Sequence, residues 1–248
     1  MNPLPTDLDT ALLQARQATR AALEAGQTLV QIELLVGELK AQTIAEQFLP
    51  ELLDMGYKLR VIFPDMGATA LARRDWGEEQ FPISDLGSPR RPVETQLQPD
   101  DECFLVVEPS DVDVEQVEKL YIAAAGRPVV MLLPRLENIA TIGIGYAGRQ
   151  LRERFLSKIE TCYYIRPLDG ATLYRAYPGL WQVWGDAVPP AIEGELLSET
   201  TNKLVGEALD RILMGEEDDE NPDAPAGGVK KNPGIMAGLQ NFLKALSQ

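Results

Sequence analysis

Cys103-Phe-Leu-Val-Val107 is an uninterrupted apolar run of the length of one strand. A helical pattern follows at Val112–Ala125, and a second, nearly all-apolar run follows at Arg127-Pro-Val-Val-Met-Leu-Leu133. Strands this apolar are typical of parallel sheets whose two faces are both covered, because neither face then meets water. The stretch therefore predicts a parallel βαβ unit.

The same alternation continues on both sides of this unit. The pattern predicts helices at 7–25, 41–55, 67–75, 146–159 and 199–214, and strands at 28–35, 58–63, 161–166, 171–177 and 180–185. The region 77–101 predicts mostly loop, with a short edge strand near Phe81–Ser84. The last strands follow one another through short turns, as in an antiparallel meander. We therefore predict an α/β fold in a single domain over residues 1–214: a largely parallel sheet with helices on both faces and antiparallel edge strands toward the C-terminus.

The C-terminal part of the chain has a different pattern. Residues 215–231 are acidic and rich in Pro and Gly, with too few apolar groups to offset the entropy of ordering, which predicts a disordered linker. Residues 232–248 predict an amphipathic helix with Asn232 as a candidate N-cap. Its apolar stripe consists of Ile235, Met236, Leu239, Phe242, Leu243 and Leu246.

This apolar stripe is the strongest functional signal in the residue pattern. It can dock in a groove of a partner protein, lie in a membrane interface, or fold back on its own domain. The predicted helix contains one Lys, and two more precede it, which is few for binding to anionic lipid. A protein partner is therefore the favoured interpretation, with weak peripheral membrane contact as the alternative.

Composition narrows the function further. The 248 residues include no His, 23 Lys and Arg, and 38 Asp and Glu, for a net charge of −15. The acidic balance argues against a nucleic-acid partner. The missing His removes Ser-His-Asp and Cys-His catalysis and His-based metal sites. P-loop, EF-hand and Cys-x-x-Cys patterns are absent as well. We expect no cofactor, no metal and no catalytic residue, which favours a binding protein without excluding an enzyme that uses carboxylates or Arg.

Two residue pairs carry expectations about packing. Cys103 and Cys162 lie in apolar, strand-like runs, which predicts two buried free thiols rather than a disulfide. Trp181 and Trp184 lie three apart on a predicted strand and should face opposite sides of the sheet. One of them is expected in the core and the other half-exposed.

Polar residues follow the predicted strands where a ligand would bind in a parallel sheet. Asp65, Ser110, Arg135, Asn138 and Arg149 come after strands or at the start of a helix, and could converge on a pocket beyond the carboxyl ends of the strands. We expect Asp65 and Arg135 at the same edge of the sheet. The alternative is that Asp and Ser are helix caps and that Arg makes surface ion pairs.

A glycine pattern could contribute to the same pocket. Gly143-Ile-Gly145-Tyr-Ala-Gly148 matches G-x-G-x-x-G, in which a tight turn places a pyrophosphate on a helix N-terminus. The preceding predicted strand ends near Leu133, about ten residues too early for that motif. The alternative is a loop whose glycines let a helix begin and pack closely.

The chain also resembles a known family. The resemblance rests on Val61-Ile-Phe-Pro-Asp65, on Ile142-Gly-Ile-Gly145 running into Arg149-Gln-Leu-Arg-Glu-Arg-Phe155, and on Tyr174-Arg-Ala-Tyr-Pro-Gly-Leu-Trp181. These motifs are similar to those of a domain-of-unknown-function family of cyanobacterial and chloroplast proteins. That family includes the low-photosystem-II-accumulation assembly factor and the appended domain of a chloroplast adenylate kinase.

The resemblance implies a photosynthetic setting. It points to an accessory or assembly factor for thylakoid complexes, with a photosystem subunit or assembly intermediate as partner. It carries over no catalytic residue, and the kinase activity does not transfer because this chain has no kinase segment. The N-terminus lacks a signal-peptide pattern, so we expect a cytoplasmic protein, peripheral at the thylakoid membrane.

Overall fold

The computed structural model describes residues 4–77, 81–88, 90–136, 146–187 and 194–215. The helices are α1 (Leu8–Glu24), α2 (Ala41–Asp54), α3 (Met66–Trp76), α4 (Val114–Ala124), α5 (Tyr146–Arg154) and α6 (Glu207–Leu213). The strands are β1 (Leu29–Leu34), β2 (Leu59–Phe63), β3 (Ile83–Asp85), β4 (Gly87–Ser88), β5 (Arg91–Pro92), β6 (Cys103–Val107), β7 (Val129–Leu132), β8 (Glu160–Leu168), β9 (Ala171–Ala176), β10 (Trp181–Gly185) and β11 (Leu196–Thr200).

Nine of these strands form one sheet in the order β11-β10-β9-β8-β1-β7-β6-β2-β3. The strands from β3 to β8 in this order are all parallel to their neighbours. The strands β9, β10 and β11 continue the sheet in antiparallel pairs from β8 outward. The predicted fold class is therefore confirmed: a mostly parallel α/β sheet with antiparallel strands toward the C-terminus.

Helices cover both faces of the sheet. Alternate residues of β6 show this, because Cys103, Leu105 and Val107 pack in the cluster that contains α1 and α2. Phe104 and Val106 pack in the opposite cluster, with α4 and α5. All five residues of β6 are buried, as expected for a strand with both faces covered. We call the side of α1, α2 and α3 the first face and the side of α4, α5 and α6 the second face.

The connections that start from the central strands β1 and β7 run toward opposite ends of the sheet. The chain passes from β1 to β2 through α2, across β7 and β6 on the first face. It passes from β7 to β8 through α5, across β1 on the second face. The neighbouring strands β1 and β7 therefore form a topological switch point, and in such sheets ligands bind in the crevice beyond the carboxyl ends of these strands.

The predicted helix at 199–214 is wrong in its first half. Leu196–Thr200 is a strand that pairs antiparallel with β10, and α6 begins only at Glu207. Pairing with β11 satisfies the outer backbone groups of β10, which would otherwise face water or a neighbouring chain. Gly206, with a φ of 55°, then turns the chain into α6 in a conformation that favours glycine.

The boundaries of two other predictions also change. The helix predicted at 146–159 ends at Arg154 and is followed by a separate short 3₁₀ turn at Leu156–Lys158. The predicted short edge strand is observed as Ile83–Asp85, which pairs parallel with β2 at the end of the sheet. The predicted linker and the helix at 232–248 lie, apart from Gly215, outside the described residues and stay predictions.

Both residue pairs with packing expectations are described. Trp181 and Trp184 lie in clusters on opposite faces as predicted, but the expected exposure of one of them is wrong. They are 4% and 8% exposed, because Trp181 packs in the cluster that contains Leu209 of α6 and Trp184 packs in the core cluster of the first face. The two cysteines are free and buried, as predicted. Burial raises the pKa of each thiol to about 12.

Candidate functional site

Three neighbouring strands end in a similar way at the carboxyl edge of the sheet. Pro64, Pro109 and Pro134 follow β2, β6 and β7 within two residues, and proline has no N–H with which to extend the ladder. Glu108 and Leu133, each just before a proline, have φ values of 50° and 52°. Such values cost a non-glycine residue about 1–3 kcal/mol and persist only where the surroundings hold them.

Backbone hydrogen bonds hold these two residues in place. The Glu108 N–H donates to the Leu132 carbonyl at 2.7 Å, and the Leu133 N–H donates to the Ile32 carbonyl at 2.9 Å. Beyond the prolines the ladder resumes once, where the Arg135 N–H donates to the Pro109 carbonyl at 2.7 Å. The edge formed by β1, β7 and β6 is therefore a fixed backbone surface rather than a set of free loops.

Ser110 and Arg135 are neighbours across this last bridge, yet each side chain has a partner inside the chain. The Ser110 hydroxyl donates to Asp113 Oδ2 at 2.6 Å, and Asp113 also accepts from the Ser110 N–H at 2.8 Å. This is a capping box that opens the 3₁₀ turn leading into α4. The Arg135 guanidinium makes an ion pair with Glu108.

Asp65 also has a structural role. Its Oδ1 accepts a hydrogen bond from the Ala68 N–H at 2.9 Å, which caps the N-terminus of α3. Asp65 and Arg135 lie at the same edge of the sheet, but they line two different cavities that share Glu108. Ligand binding by Asp65, Ser110 and Arg135 stays a prediction, and their observed bonds match the alternative of caps and ion pairs.

The two cavities lie side by side along the carboxyl edge. The smaller has a volume of 220 Å³ and lies at the switch point, where its lining includes Glu33, Leu34, Leu35, Glu108, Leu133 and Arg135. The larger has a volume of 510 Å³ and lies beyond β2 and β6, where its lining includes Lys40, Phe63, Asp65, Leu71, Asp75 and Glu108. The two cavities share Glu108, and their linings include residues at the ends of the four parallel strands β1, β7, β6 and β2.

Four exposed apolar side chains lie in the segments that follow the strands at this edge. Leu35 and Leu71 line the cavities and are 42% and 48% exposed. Met66, in the first turn of α3, is 70% exposed, and Val112, in the turn after β6, is 85% exposed. We call these four residues and the two cavities the carboxyl-edge surface. Where exposed apolar groups at one edge form a patch, they mark contact sites for proteins or other apolar ligands.

The charge of the carboxyl-edge surface is negative. Its cavity lining contains the carboxylates of Glu33, Asp65, Asp75 and Glu108, against the cations Lys40 and Arg135. Arg135 already faces Glu108, and the lining as a whole has two more carboxylates than cations, which disfavours a phosphate. A basic or neutral apolar ligand suits this lining better than a nucleotide does.

The remaining predicted site residues do not join this surface in the described part of the chain. Arg149 lies on α5 with an exposed side chain and lines neither cavity. Asn138, Gly143 and Gly145 lie outside the described residues. In the last turn of α5, Arg154 makes two hydrogen bonds to Glu118, at 2.6 and 2.8 Å, which is the surface ion pairing expected of a charged helix.

One buried acid was missed by the sequence analysis. Glu33 lies in the central strand β1 and is only 4% exposed. Its Oε1 accepts from Gln31 Nε2 at 2.8 Å and lies 4.0 Å from Lys203 Nζ, which in turn lies 4.1 Å from the centroid of the Tyr164 ring. The available signal was two polar residues, at alternate positions 31 and 33, in an otherwise apolar strand.

The described residues include no set of three Cys, Asp or Glu side chains placed to share a metal ion. Within the same ranges, no helix has the length and apolar character needed to cross a bilayer.

The chain is an α/β protein whose mostly parallel sheet is covered by helices on both faces. The carboxyl edge of this sheet is acidic and partly apolar. The chain belongs to the family described as domain of unknown function DUF1995, whose model matches residues 5–211. This confirms the predicted membership of a domain-of-unknown-function family. No curated protein matches the chain in the corresponding comparison.

Proposed function

We propose that this chain is a non-enzymatic accessory or assembly factor for photosynthetic complexes, and that it binds a protein partner. The partner is a photosystem subunit or an assembly intermediate, and residues 232–248 are the docking element. The protein is then cytoplasmic and peripheral at the thylakoid membrane. The support comes from the family resemblance, the apolar stripe of the tail, and the chemistry of the carboxyl-edge surface.

The observation that carries the proposal is that the polar side chains of the carboxyl edge are bonded to other groups within the chain. Asp65 caps α3, Ser110 caps the turn before α4, and Arg135 pairs with Glu108. These bonds occupy the side chains that a small-ligand pocket would need. The groups left facing outward are Leu35, Met66, Leu71 and Val112 together with carboxylates, and this combination suits a protein contact.

The apolar stripe has enough surface for a specific but moderate interaction. Six side chains that each gain about 1.5 kcal/mol on burial contribute roughly 9 kcal/mol. Association itself costs an estimated 4–15 kcal/mol, so the stripe alone supports weak to moderate binding. A partner that contacts the stripe and nothing else should therefore dissociate readily, as an assembly factor must.

The test uses the full chain, carrying an affinity tag, purified from its own cells and analysed by mass spectrometry. Leu239→Asp together with Phe242→Asp places charge in the apolar stripe and should reduce recovery of the thylakoid partner by about tenfold or more. The matched control is Gln240→Asp with Asn241→Asp, which adds the same charge on the predicted polar face. Equal recovery with the stripe variant and the control would overturn the proposal.

A second candidate is a nucleotide- or phosphometabolite-binding α/β enzyme or regulator. It is favoured by one observation: the 220 Å³ cavity lies at the switch point, between the left-handed residues Glu108 and Leu133. A thermal-shift screen with nucleotides and sugar phosphates separates the two functions. We expect no stabilisation at millimolar ligand, and a rise in Tm that Arg135→Ala abolishes would favour the second candidate instead.

A further inference from the structure

We propose that residues 230–248 occupy the carboxyl-edge surface of their own chain when no partner holds them. This inference rests on the proposed function, because it assigns the docking element a resting place. The partner and the body then compete for one apolar stripe. The proposal is carried by three properties that match between the tail and the surface: apolar chemistry, charge, and the length of chain that joins them.

The apolar match comes from side chains that lack a cover in the described body. Leu35 lines the 220 Å³ cavity and Leu71 lines the 510 Å³ cavity, while the exposed Met66 and Val112 lie in the segments that follow β2 and β6 at the same edge. Pockets of about 300–1,000 Å³ bury groups as large as several apolar side chains. The larger cavity can therefore receive members of the stripe such as Phe242 while the surrounding residues contact the rest.

The charge match is equally direct. Residues 229–248 contain three Lys and no Asp or Glu, so this part of the tail carries +3. Residues 216–248 contain six acids and three Lys and net −3, which leaves −12 of the total −15 on residues 1–215. The cavity lining itself has four carboxylates and two cations. The acidic residues 216–223 are repelled by the body, whereas residues 229–248 carry the opposite charge to the cavity lining and find acidic groups beside their apolar contacts.

The connecting segment is long enough for this arrangement. Fourteen residues, 216–229, separate Gly215 from Lys230. They reach up to about 46 Å when extended, and as a flexible chain they span roughly 20 Å on average. The helix α6 packs over Tyr164, Leu173 and Trp181 of β8, β9 and β10. From β9 to β6 there are four strand spacings, roughly 19 Å in all, so the tail can return to the carboxyl edge.

Tethering also makes weak docking effective. If residues 216–229 form the linker that the sequence predicts, they give the tail an effective concentration of about a millimolar at its own surface. A contact with a dissociation constant near that value therefore keeps the stripe covered about half of the time. A partner that binds the stripe in the micromolar range displaces it readily, and the stripe stays protected from non-specific contacts in the meantime.

Zero-length cross-linking of the full chain tests the proposal. A carbodiimide joins Lys amines to carboxylates that are in contact, and mass spectrometry identifies the joined residues. We expect links from Lys230, Lys231 or Lys244 to Asp65, Asp75 or Glu108 within one monomer, in a yield independent of protein concentration. Links whose yield rises with concentration would assign the surface to a second copy, and tail links confined to other parts of the body would also overturn the proposal.

A pair of matched variants makes the test specific. Leu71→Lys removes an apolar contact and repels the basic tail, and should reduce these links by about threefold or more. Leu53→Lys is the control, because Leu53 is also an exposed leucine of a helix but lies near the opposite, amino edge. If circular dichroism shows that Leu71→Lys unfolds the chain, Met66→Lys at a more exposed position replaces it. Equal link yields in the edge variant and in the control would overturn the proposal.

Partner recovery separates this inference from the proposed function. If the tail rests on the body, Leu71→Lys frees it and should increase recovery of the partner by about twofold at equal expression. Lost links with unchanged recovery would leave the partner function standing and reject the competition. Intact links combined with unchanged recovery in the Leu239→Asp, Phe242→Asp variant would reject the partner function and leave the docked tail.

Discussion

The two edges of the parallel strands are built differently. At the amino edge, Arg60 donates to Asp101 at 2.6 Å, and both side chains are 5–6% exposed. Arg127 donates from its guanidinium to the Ala123, Ala124 and Asp101 carbonyls at 2.7–2.9 Å, and it lies 4.9 Å from the Phe104 ring. At the carboxyl edge, the ion pair of Arg135 and Glu108 leaves the Arg side chain 73% exposed beside two cavities.

The amino edge mainly stabilises the fold, whereas the carboxyl edge is the candidate contact surface. The amino edge uses its charged groups to close helix ends and strand starts, with few polar atoms left for a partner. The carboxyl edge holds two left-handed residues and four exposed apolar side chains in a fixed position, which adds nothing to stability. A fold commonly concentrates contacts on one edge in this way.

Asp101→Ala should cause the largest loss of stability. The substitution leaves the Arg60 guanidinium buried without its carboxylate and also removes the acceptor of the Gln98 N–H at 2.7 Å. Breaking a buried pair on one side costs about 3–5 kcal/mol, measured as the free energy of unfolding in urea.

Two further variants check this interpretation. Asp100→Ala removes the exposed neighbouring acid and should leave the urea midpoint unchanged. Arg60→Met combined with Asp101→Leu replaces the pair by apolar groups and should recover much of the loss. A loss with Asp101→Ala no greater than with Asp100→Ala would remove the contrast between the two edges.

The two thiols provide a second measure of the closed amino edge. Cys103 and Cys162 lie at or near the starts of β6 and β8, and burial raises the pKa of both to about 12 from a model-compound value of 9.0. Above pH 9 the unfolded chain therefore loses thiol protons that the folded chain still holds, so stability falls as pH rises from 9 toward 12.

The expected size follows from the same linkage. One pKa unit corresponds to 1.36 kcal/mol, so two thiols contribute a loss of roughly 3 kcal/mol between pH 8 and pH 10. The Cys103→Ala, Cys162→Ala variant should show a shallower fall in urea stability over this range, whatever its stability at pH 8. An unchanged slope would mean that the thiols are solvated in the folded protein.

The sequence predicted a strand accurately where the residues of that strand alone carry the pattern, and missed it where the strand depends on pairing with a partner. The strand β6 was predicted residue for residue at Cys103–Val107, because a run buried on both faces is apolar without interruption. The strand β11 was missed, because Leu196–Thr200 is half-exposed and owes its conformation to pairing with β10. Pairing partners distant in sequence leave no pattern in the strand itself.

Only part of the candidate site could be predicted from the sequence. The location beyond the strand ends followed from the βαβ pattern, and the cap at Asp65 followed from its place before a helix. The two cavities and the positive φ values of Glu108 and Leu133 could not be predicted, since both arise from the relative position of neighbouring strands. The apolar residues of the surface, such as Val112, are scattered along the chain and meet only in the fold.

Asp65→Ala should have an intermediate effect at the carboxyl edge. It removes the cap of α3, and loss of such a cap costs about 1 kcal/mol in urea unfolding. Asp65→Asn keeps an oxygen that can accept from the Ala68 N–H and should restore most of the stability. A similar loss with Asn and with Ala would show that the negative charge of Asp65, rather than its cap, is what the fold uses.

Arg135→Ala should have the smallest effect on the free energy of unfolding, unlike disruption of the buried ion pair of Arg60. The Arg135 side chain is mostly in water, so its ion pair with Glu108 contributes about 0–1 kcal/mol and is screened by salt. Urea unfolding at low and high salt should show a small difference between wild type and variant that disappears at high salt. Glu108→Gln, which removes the opposite charge, should behave in the same way. A loss above about 2 kcal/mol that persists in high salt would mean that the carboxyl edge is as closed as the amino edge, because only a desolvated pair resists screening.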